Sequence, residues 1–327
     1  MKRTLTLTLV VSLFIAAGAF AEIDGAWTAA RNEKHPDRLY VNITRGHFHN
    51  NGSTFRISEF TGLTAATIDA AVMTPVQFSM RREAGNVAFE GTFRKGKGAG
   101  QLTFTANRGY IDAIRNLGVE FKLGRNHGKT SEEEELFTLA LHDVSTAFIR
   151  SMQAEGFKVS LDKYLEMRIF DITPAYIQEM RALGFGDISN KELVESKIHN
   201  VTPKFVRDMR AQGWNLTLNQ YQNAAIHGAT PQFAEELKKA GYGGLDHDDI
   251  VNFRIHRVTP EYIAELRALG YDKIPAHKLV EMRIHRVTPE FIRELKAAGY
   301  AGVPINKLVQ MRIAGIDGKY LKKMGNE

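Results

Sequence analysis

The sequence predicts an α+β protein of more than one domain, in which a small antiparallel β domain precedes an α-solenoid of two-helix repeats. Two patterns support this class. Apolar and polar residues alternate with period two between residues 38 and 105, and a unit of 28 or 29 residues recurs from Val144 onward. The 327 residues are 43% hydrophobic and 24% charged, which is ordinary for a globular chain. The chain has no cysteine, which excludes disulfides, thiolate metal sites and a cysteine nucleophile.

Residues 1–21 have the pattern of a secretory signal peptide. Lys2 and Arg3 precede a mostly apolar run, and Ala19-Phe20-Ala21 is a small-x-small cleavage pattern. We therefore expect cleavage before Glu22 and an exported protein, either periplasmic or extracellular; an uncleaved anchor is the alternative. Because no later stretch has the roughly 20 apolar residues of a span, we expect no stable membrane span after cleavage.

Residues 22–106 are expected to form the β-rich domain. Five alternating runs are separated by Gly- and Asn-containing turn signals, and the last three predict an antiparallel meander. Residues 63–71 predict one short helix. The five runs are residues 39–43, 54–60, 76–80, 87–93 and 101–105.

Two histidines in this region, His47 and His49, would lie on one side of an extended segment. A structural or catalytic metal site needs at least three protein ligands, and no third ligand is evident nearby. An exposed strand end is therefore favoured, and neither a metal nor another cofactor is predicted.

The helical part divides into a degenerate first copy and a regular array. Residues 107–143 predict the degenerate copy, with a loop inserted near residues 122–129. Residues 144–327 hold the array, because a fixed period over six full copies is a strong repeat signal. The copies begin at Val144, Ile172, Val201, Ala229, Val258 and Val287, with a partial copy at Ile316.

Each copy carries its own start and stop signals. A Ser or Thr stands at an N-cap position, usually before a Pro at N1, and a Gly followed by an aromatic residue ends the first helix. The second helix has apolar residues on what we expect to be a broad buried face. For the N-caps the residues are Ser145, Thr173, Thr202, Thr230, Thr259 and Thr288; for the apolar face they include Leu193, Val194, Ile198, Leu279, Val280, Met282, Ile284, Leu308, Val309, Met311 and Ile313.

Two rows of side chains are the candidate binding residues. The histidine row follows an Ile in four copies, and helix packing would place successive members roughly 10 Å apart, too far to share a metal ion. Histidine also suits a helix C-terminus, so a structural capping role is favoured over a functional one. The arginine row lies on the same helix and could hold carboxylates or phosphates, although mixed charges usually mark a solvated face. The candidates are His199, His227, His256 and His285 with Arg254, Arg283 and Arg312.

Charge and motifs exclude several function classes. The net charge of +6 includes Lys2 and Arg3 of the predicted leader. Residues 22–107 carry 10 basic and 8 acidic side chains, and residues 108–327 carry 31 basic and 29 acidic ones. The excess positive charge is therefore spread thinly over the chain. Since a nucleic-acid binder concentrates its basic charge, no nucleic-acid partner is predicted. No His-Glu-x-x-His motif of zinc peptidases occurs, and no catalytic residue is predicted.

The repeat resembles segments of uncharacterised exported bacterial proteins, and is similar to repeats found beside membrane metallopeptidases of the penicillin-sensing antirepressor type. The residues that carry the resemblance are the blocks 258–271 and 287–300 and the segment Met282-Arg283-Ile284-His285. The resemblance covers about residues 107–327. It implies an accessory or sensing module of the cell envelope and implies no catalysis, because the peptidase motif is absent.

These observations favour a non-enzymatic binding module that presents a helical-repeat surface to a protein or peptide partner. The inference from solenoid to binding is an analogy between folds. A hydrolase-like enzyme with its site in the β domain, or where that domain meets the solenoid, is one alternative. A purely structural envelope protein is the other.

Overall fold

The computed structural model describes residues 22–45, 49–123, 131–317 and 320. It has a curled antiparallel sheet followed by helices in a repeated pattern, so the predicted α+β class is confirmed. The chain divides into two compact units, Met1–Ile169 and Phe170–Glu327. The predicted leader, residues 1–21, lies outside the described residues.

The first unit contains a six-stranded sheet with the order β3-β2-β1-β6-β5-β4, in which every pairing is antiparallel. The meander of β4, β5 and β6 is confirmed. The prediction of five strands is corrected to six, and the second predicted run ends early because residues Ile57–Glu59 form a 3-10 helix. The strands are β1 (Glu22–Arg31), β2 (Arg38–Arg45), β3 (His49–Arg56), β4 (Thr74–Arg82), β5 (Gly85–Arg94) and β6 (Lys97–Ala106).

The core of the sheet is built around Trp27 on β1, which is 1% exposed. Its indole N–H donates to the carbonyl oxygens of Glu90 and Gln101, at 3.2 and 3.0 Å. Trp27 pairs with Gly100, and Gly100 pairs with Gly91 on the next strand. The two glycines leave room for the ring where three strands lie side by side.

The glycine row yields a prediction about stability. A Cβ at Gly91 would lie 2.8 Å from Cζ2 of Trp27 and closer still to the carbonyl oxygen of Ala99, so we expect Gly91→Ala to lower the free energy of unfolding by about 3 kcal/mol. Urea unfolding followed by circular dichroism measures this. Gly186→Ala is the control, because a Cβ there has no neighbour within 4 Å. Equal stability of the two variants would contradict this account of the core.

Helices α1 to α5 belong to the described part of the first unit. Ser131 caps α3 through the amide of Glu134, as expected for the degenerate copy, and Phe137 of α3 packs on Phe104 with ring centroids 5.1 Å apart. Residues 124–130 of the predicted inserted loop lie outside the described residues. The helices are α1 (Ala65–Ile68), α2 (Gly109–Arg115), α3 (Glu132–Leu141), α4 (Thr146–Ala154) and α5 (Leu161–Ile169).

The second unit, as far as residue 317, is a series of helical hairpins. First helices pack on first helices and second helices on second helices, which makes two layers. Among the described residues no helix is both long enough and apolar enough to cross a bilayer. The hairpins are α6 (Pro174–Ala182) with α7 (Asn190–Ile198), α8 (Pro203–Ala211) with α9 (Leu218–His227), α10 (Pro231–Lys239) with α11 (His247–Ile255), α12 (Pro260–Ala268) with α13 (Ala276–Ile284), and α14 (Pro289–Ala297) with α15 (Ile305–Ile313).

The predicted helix starts and stops are confirmed. In α12, for example, the Thr259 side chain accepts a hydrogen bond from the amide of Tyr262, and Pro260 occupies N1. The helix ends at Gly270, whose φ of +95° is left-handed. The amide of Tyr271 then bonds back to the carbonyl of Leu266 at 3.0 Å, a Schellman closure. The turn after the first helix is therefore tight, and its left-handed glycine recurs from copy to copy.

Candidate functional site

The buried face of each second helix is narrower than the sequence predicts. In α13, Leu279 and Met282 are fully buried, but Ile284 is 52% exposed. Two residues along an α-helix are separated by about 200° around the axis, so Ile284 lies nearly opposite Met282. The expectation that Ile198, Ile284 and Ile313 belong to the buried face is therefore wrong.

The exposed isoleucine recurs in each of the hairpins α6–α7 to α14–α15, at the last residue or the last but one of the second helix. We call this set the isoleucine ladder. Because second helices pack side by side, its members are separated by about 10 Å from copy to copy. A single exposed apolar residue needs no explanation, whereas a repeated one marks a surface. The ladder consists of Ile198, Ile226, Ile255, Ile284 and Ile313, which are 47 to 64% exposed.

The arginine row directly precedes the ladder and links successive copies. Nε of Arg283 donates to the carbonyl oxygen of His256 in the preceding copy at 3.1 Å, and its guanidinium lies 4.8 Å from the centroid of the Tyr262 ring. Arg254 repeats both contacts, with the carbonyl of His227 at 3.4 Å and the ring of Phe233 at 4.6 Å. These arginines thus satisfy a helix C-terminus and cover an aromatic ring of their own copy.

Arg312 keeps only one of the two contacts. Its guanidinium lies 5.0 Å from the centroid of the Phe291 ring. Its Nε is buried and has no hydrogen-bond partner among the described residues. The link that this row makes between copies is therefore weaker at α15 than at α11 and α13.

Removal of the Arg283 contacts should destabilise the array. Arg283→Met keeps the aliphatic stem but leaves the His256 carbonyl without its donor, so we expect the free energy of unfolding to fall by about 1 kcal/mol. The matched control is Arg286→Met, three residues on, where no described residue forms an ion pair or hydrogen bond with the side chain. Chemical denaturation of both variants measures the difference. A loss of the same size in both would show that net charge, rather than the contact, decides stability.

The histidine row lies at the C-terminal ends of the second helices. His199, His256 and His285 are C-cap residues, and His227 is the last residue of α9. No imidazole of the row makes a hydrogen bond with another described residue, so their rings do not cap the helices. Among the residues with described side chains, no group of three or more His, Cys, Asp or Glu could hold a metal ion.

Two further arginines, which the sequence did not single out, follow the row. Arg257 and Arg286 both have a left-handed φ of +56°, a conformation that glycine, asparagine and aspartate tolerate best. Other copies place Asp171, Asn200 and Gly228 at the same position. Both arginines are exposed, and no acidic side chain pairs with either in the described part of the chain. A costly backbone conformation without a structural contact is typical of a functional position.

The left-handed arginines should reduce stability. We expect Arg257→Gly to raise the free energy of unfolding by about 1 kcal/mol, because glycine carries no Cβ penalty at this φ. Arg257→Val should lower it, since a β-branched residue is least suited to the conformation. Urea midpoints of the two variants and the wild type provide the measurement. A stability loss on Arg257→Gly would mean that the arginine has a structural contact after all.

Two clefts lie between consecutive copies, and each is lined by arginines that directly precede ladder residues in the sequence. One encloses about 510 Å³ and is lined by Arg254, Arg257 and Arg283 together with acidic residues of α12 and α14. The next encloses about 390 Å³ and includes Arg286 and Arg312. They occupy the same place one copy apart, which makes the surface periodic.

Three of the acidic residues that line these clefts, Glu261, Glu265 and Glu290, are held by the array itself. Arg293 pairs with Glu265 at 2.6 Å and with Glu290 at 3.0 Å. Hydrogen bonding to their own amides at the starts of α12 and α14 lowers the pKa of Glu261 and of Glu290. Arg257 and Arg286 therefore remain as cations that can receive an external carboxylate.

The structure thus places the predicted arginines and histidines at the C-terminal ends of the second helices, together with the ladder and the two left-handed arginines. A helical projection of the repeat would have found the ladder, because the Ile position lies off the face that carries the buried residues, for example Ile250 and Phe253 in α11. The left-handed positions could have been predicted only from a weaker signal, because other copies have Asp, Asn or Gly there. His47 and the side chain of His49 lie outside the described residues.

No protein-family model, curated protein or solved structure matches this chain.

Proposed function

We propose that this chain is an exported, non-enzymatic binding module whose repeat array holds an acidic, apolar polypeptide along the isoleucine ladder. The observation that carries the proposal is the ladder itself, with one exposed isoleucine at the same position of five consecutive hairpins. The folded array does not need that residue to be apolar, because the side chain contributes little to the core.

The apolar component of binding comes from covering the ladder. Burial of a fully exposed isoleucine side chain contributes about 1.5 to 3 kcal/mol, and the ladder residues, 47 to 64% exposed, would each contribute about half of that. Three neighbouring positions would therefore supply about 3 kcal/mol of the roughly −8 kcal/mol of a micromolar complex. Two other exposed apolar residues, Val72 and Met73, belong to the first unit and provide a natural comparison.

The electrostatic component selects an acidic partner. Arg257 and Arg286 stand one copy apart, two residues after Ile255 and Ile284, and both lack a described acidic partner. An arginine guanidinium pairs with a carboxylate through two parallel hydrogen bonds. Partner carboxylates flanking its apolar residues would meet these cations, while a basic partner would be repelled.

The spacing of the ladder suits an extended chain. A polypeptide in polyproline II conformation advances about 3.1 Å per residue, so every third side chain reaches the next copy about 10 Å away. Apolar residues at every third position, with acidic residues between them, would match the surface.

Export, an envelope location and an accessory or sensing role belong to the same proposal. They are supported by the leader-like pattern of residues 1–21 and by the resemblance of the repeat to exported proteins. Neither consideration bears on the chemistry of the surface, which rests on the ladder and its arginines.

Selection from a library of random 15-residue peptides tests the proposal with the folded full-length chain. We expect enriched peptides to combine Asp or Glu with aliphatic residues at intervals of three. Their affinity should fall at least tenfold, or 1.4 kcal/mol, in the double variant Ile255→Ser/Ile284→Ser. Fluorescence anisotropy of the labelled peptide measures both affinities.

The matched control is Val72→Ser/Met73→Ser, which removes two exposed apolar residues outside the ladder and should leave affinity unchanged. Thermal unfolding of both variants checks that neither has lost its fold. Enrichment of basic peptides, or equal affinity for the two double variants, would rule out the ladder as the binding surface.

A further inference from the structure

The opposite edge of the array carries a different cavity. It lies where the loop after α8 faces the loop before α11, and is an open cavity of about 530 Å³. Its lining contains no Lys or Arg. It therefore differs in chemistry from the two arginine-lined clefts, and a ligand bound here would be independent of the polypeptide proposed for the ladder.

In the two following copies, a tyrosine closes the space between neighbouring loops on this edge. The residue after the helix-ending glycine donates its hydroxyl to a loop carbonyl of the next copy. Tyr242 donates to the carbonyl oxygen of Ile274 at 2.7 Å, and Tyr271 donates to that of Val303 at 2.8 Å.

At the cavity this bridge is missing. The position of the tyrosine is taken by Trp214, and the equivalent acceptor in the next copy is the carbonyl of Leu245. Neither the indole N–H of Trp214 nor that carbonyl has a hydrogen-bond partner among the described residues. The loop of Trp214 is also one residue shorter than the loops of the two following copies. The result is an open space with an aromatic ring on its wall.

The remaining lining is polar and mostly unengaged. The side-chain amides of Gln212 and Asn215 make no hydrogen bond with described residues. Gln220 uses its carbonyl oxygen to accept from Thr217, which leaves its NH₂ group available. Asp246 uses one carboxylate oxygen to cap α11 and keeps the other.

A buried histidine fixes the floor of the cavity. His247 is 7% exposed, and its Nε2 must donate to the carbonyl oxygen of Gln220 at 3.1 Å, since a carbonyl only accepts. Its Nδ1 lies 3.1 Å from the Asp248 carboxylate. These contacts join α11 to α9, so the groups on either side of the cavity are held in place without a ligand.

We propose that this cavity is a binding site for an uncharged saccharide. The C–H face of a sugar ring stacks on an aromatic ring, and the Trp214 indole offers that surface together with a free N–H donor. Sugar hydroxyls both donate and accept, so they pair well with planar amides and carboxylates, which supply both kinds of group here. The carboxylates of Asp246 and Asp248, with no Lys or Arg in the lining, disfavour acidic sugars and phosphates.

The chain contains a built-in reporter for this site. It has two tryptophans; Trp27 is buried in the sheet, and Trp214 is partly exposed. Titration with cellotetraose, maltotetraose and the tetramer of N-acetylglucosamine should shift tryptophan emission to shorter wavelength and reduce quenching by acrylamide for at least one probe. We expect a dissociation constant of about 1 mM or below.

The decisive variant is Trp214→Tyr, with binding of the active probe measured by calorimetry. A tyrosine there places a hydroxyl donor opposite the Leu245 carbonyl, the counterpart of the acceptors of Tyr242 and Tyr271, and thermal unfolding checks that the fold is kept. The probe should bind at least tenfold more weakly, because the cavity is closed.

A second pair of variants separates the lining from its surroundings. Asn215→Ala should weaken binding several-fold, whereas Asn219→Ala, which removes an exposed amide outside the cavity, should not. The proposal would be overturned by the absence of any response to the three neutral probes at about 10 mM, by unchanged binding in Trp214→Tyr, or by equal effects of the two asparagine variants. Competition by the peptides that bind the ladder would also overturn it, since it would show one site rather than two.

Discussion

A helix of nine or ten residues, the length of helices α6 to α15 in the second unit, is too short to be stable alone in water. It is therefore stable only when it packs against neighbouring helices. Tyr262 donates to the carbonyl of Val287 in the next copy at 2.7 Å, and Arg283 donates to that of His256 in the preceding copy at 3.1 Å. Each copy thus forms hydrogen bonds with a loop or a helix end of the copies beside it, and stability accumulates through pairs of neighbours.

This dependence separates the residues that build the array from those that are free to bind. Arg254 and Arg283 belong to both groups, because they stack on aromatic rings while lying at the edge of a cleft. The isoleucine ladder, Arg257 and Arg286 have no comparable contact among the described residues. A partner can cover them without breaking any bond that the fold needs, so the array is preorganised for binding.

Sequence alone predicts the parts of this fold that are set by local chemistry. Thr259-Pro260 starts a helix and Gly270 ends it, because capping and backbone conformation depend on adjacent residues. Strand β1 is not predicted in this way, because its buried residue Trp27 is surrounded by alanines, and alanine has a low strand propensity. The exposure of Ile284 depends on which angular sector of the helix meets its neighbours. The cavity beside Trp214 exists because no side chain donates a hydrogen bond to the Leu245 carbonyl among the described residues. No local sequence pattern predicts that a hydrogen bond between copies is missing.

A repeat protein provides its own comparison, since every copy must satisfy the same packing. Where one copy departs from its neighbours at no gain in stability, the fold does not explain the change. Arg257 and Arg286 replace the Asp, Asn or Gly that suits a left-handed position. Trp214 stands where the two following copies have a bridging tyrosine and the preceding copy has Phe185. The departures lie on opposite edges of the hairpins, one at clefts lined by arginine and one at a cavity without Lys or Arg. Two edges with contrasting chemistry on a single array are what a module would need to hold two unlike ligands at once.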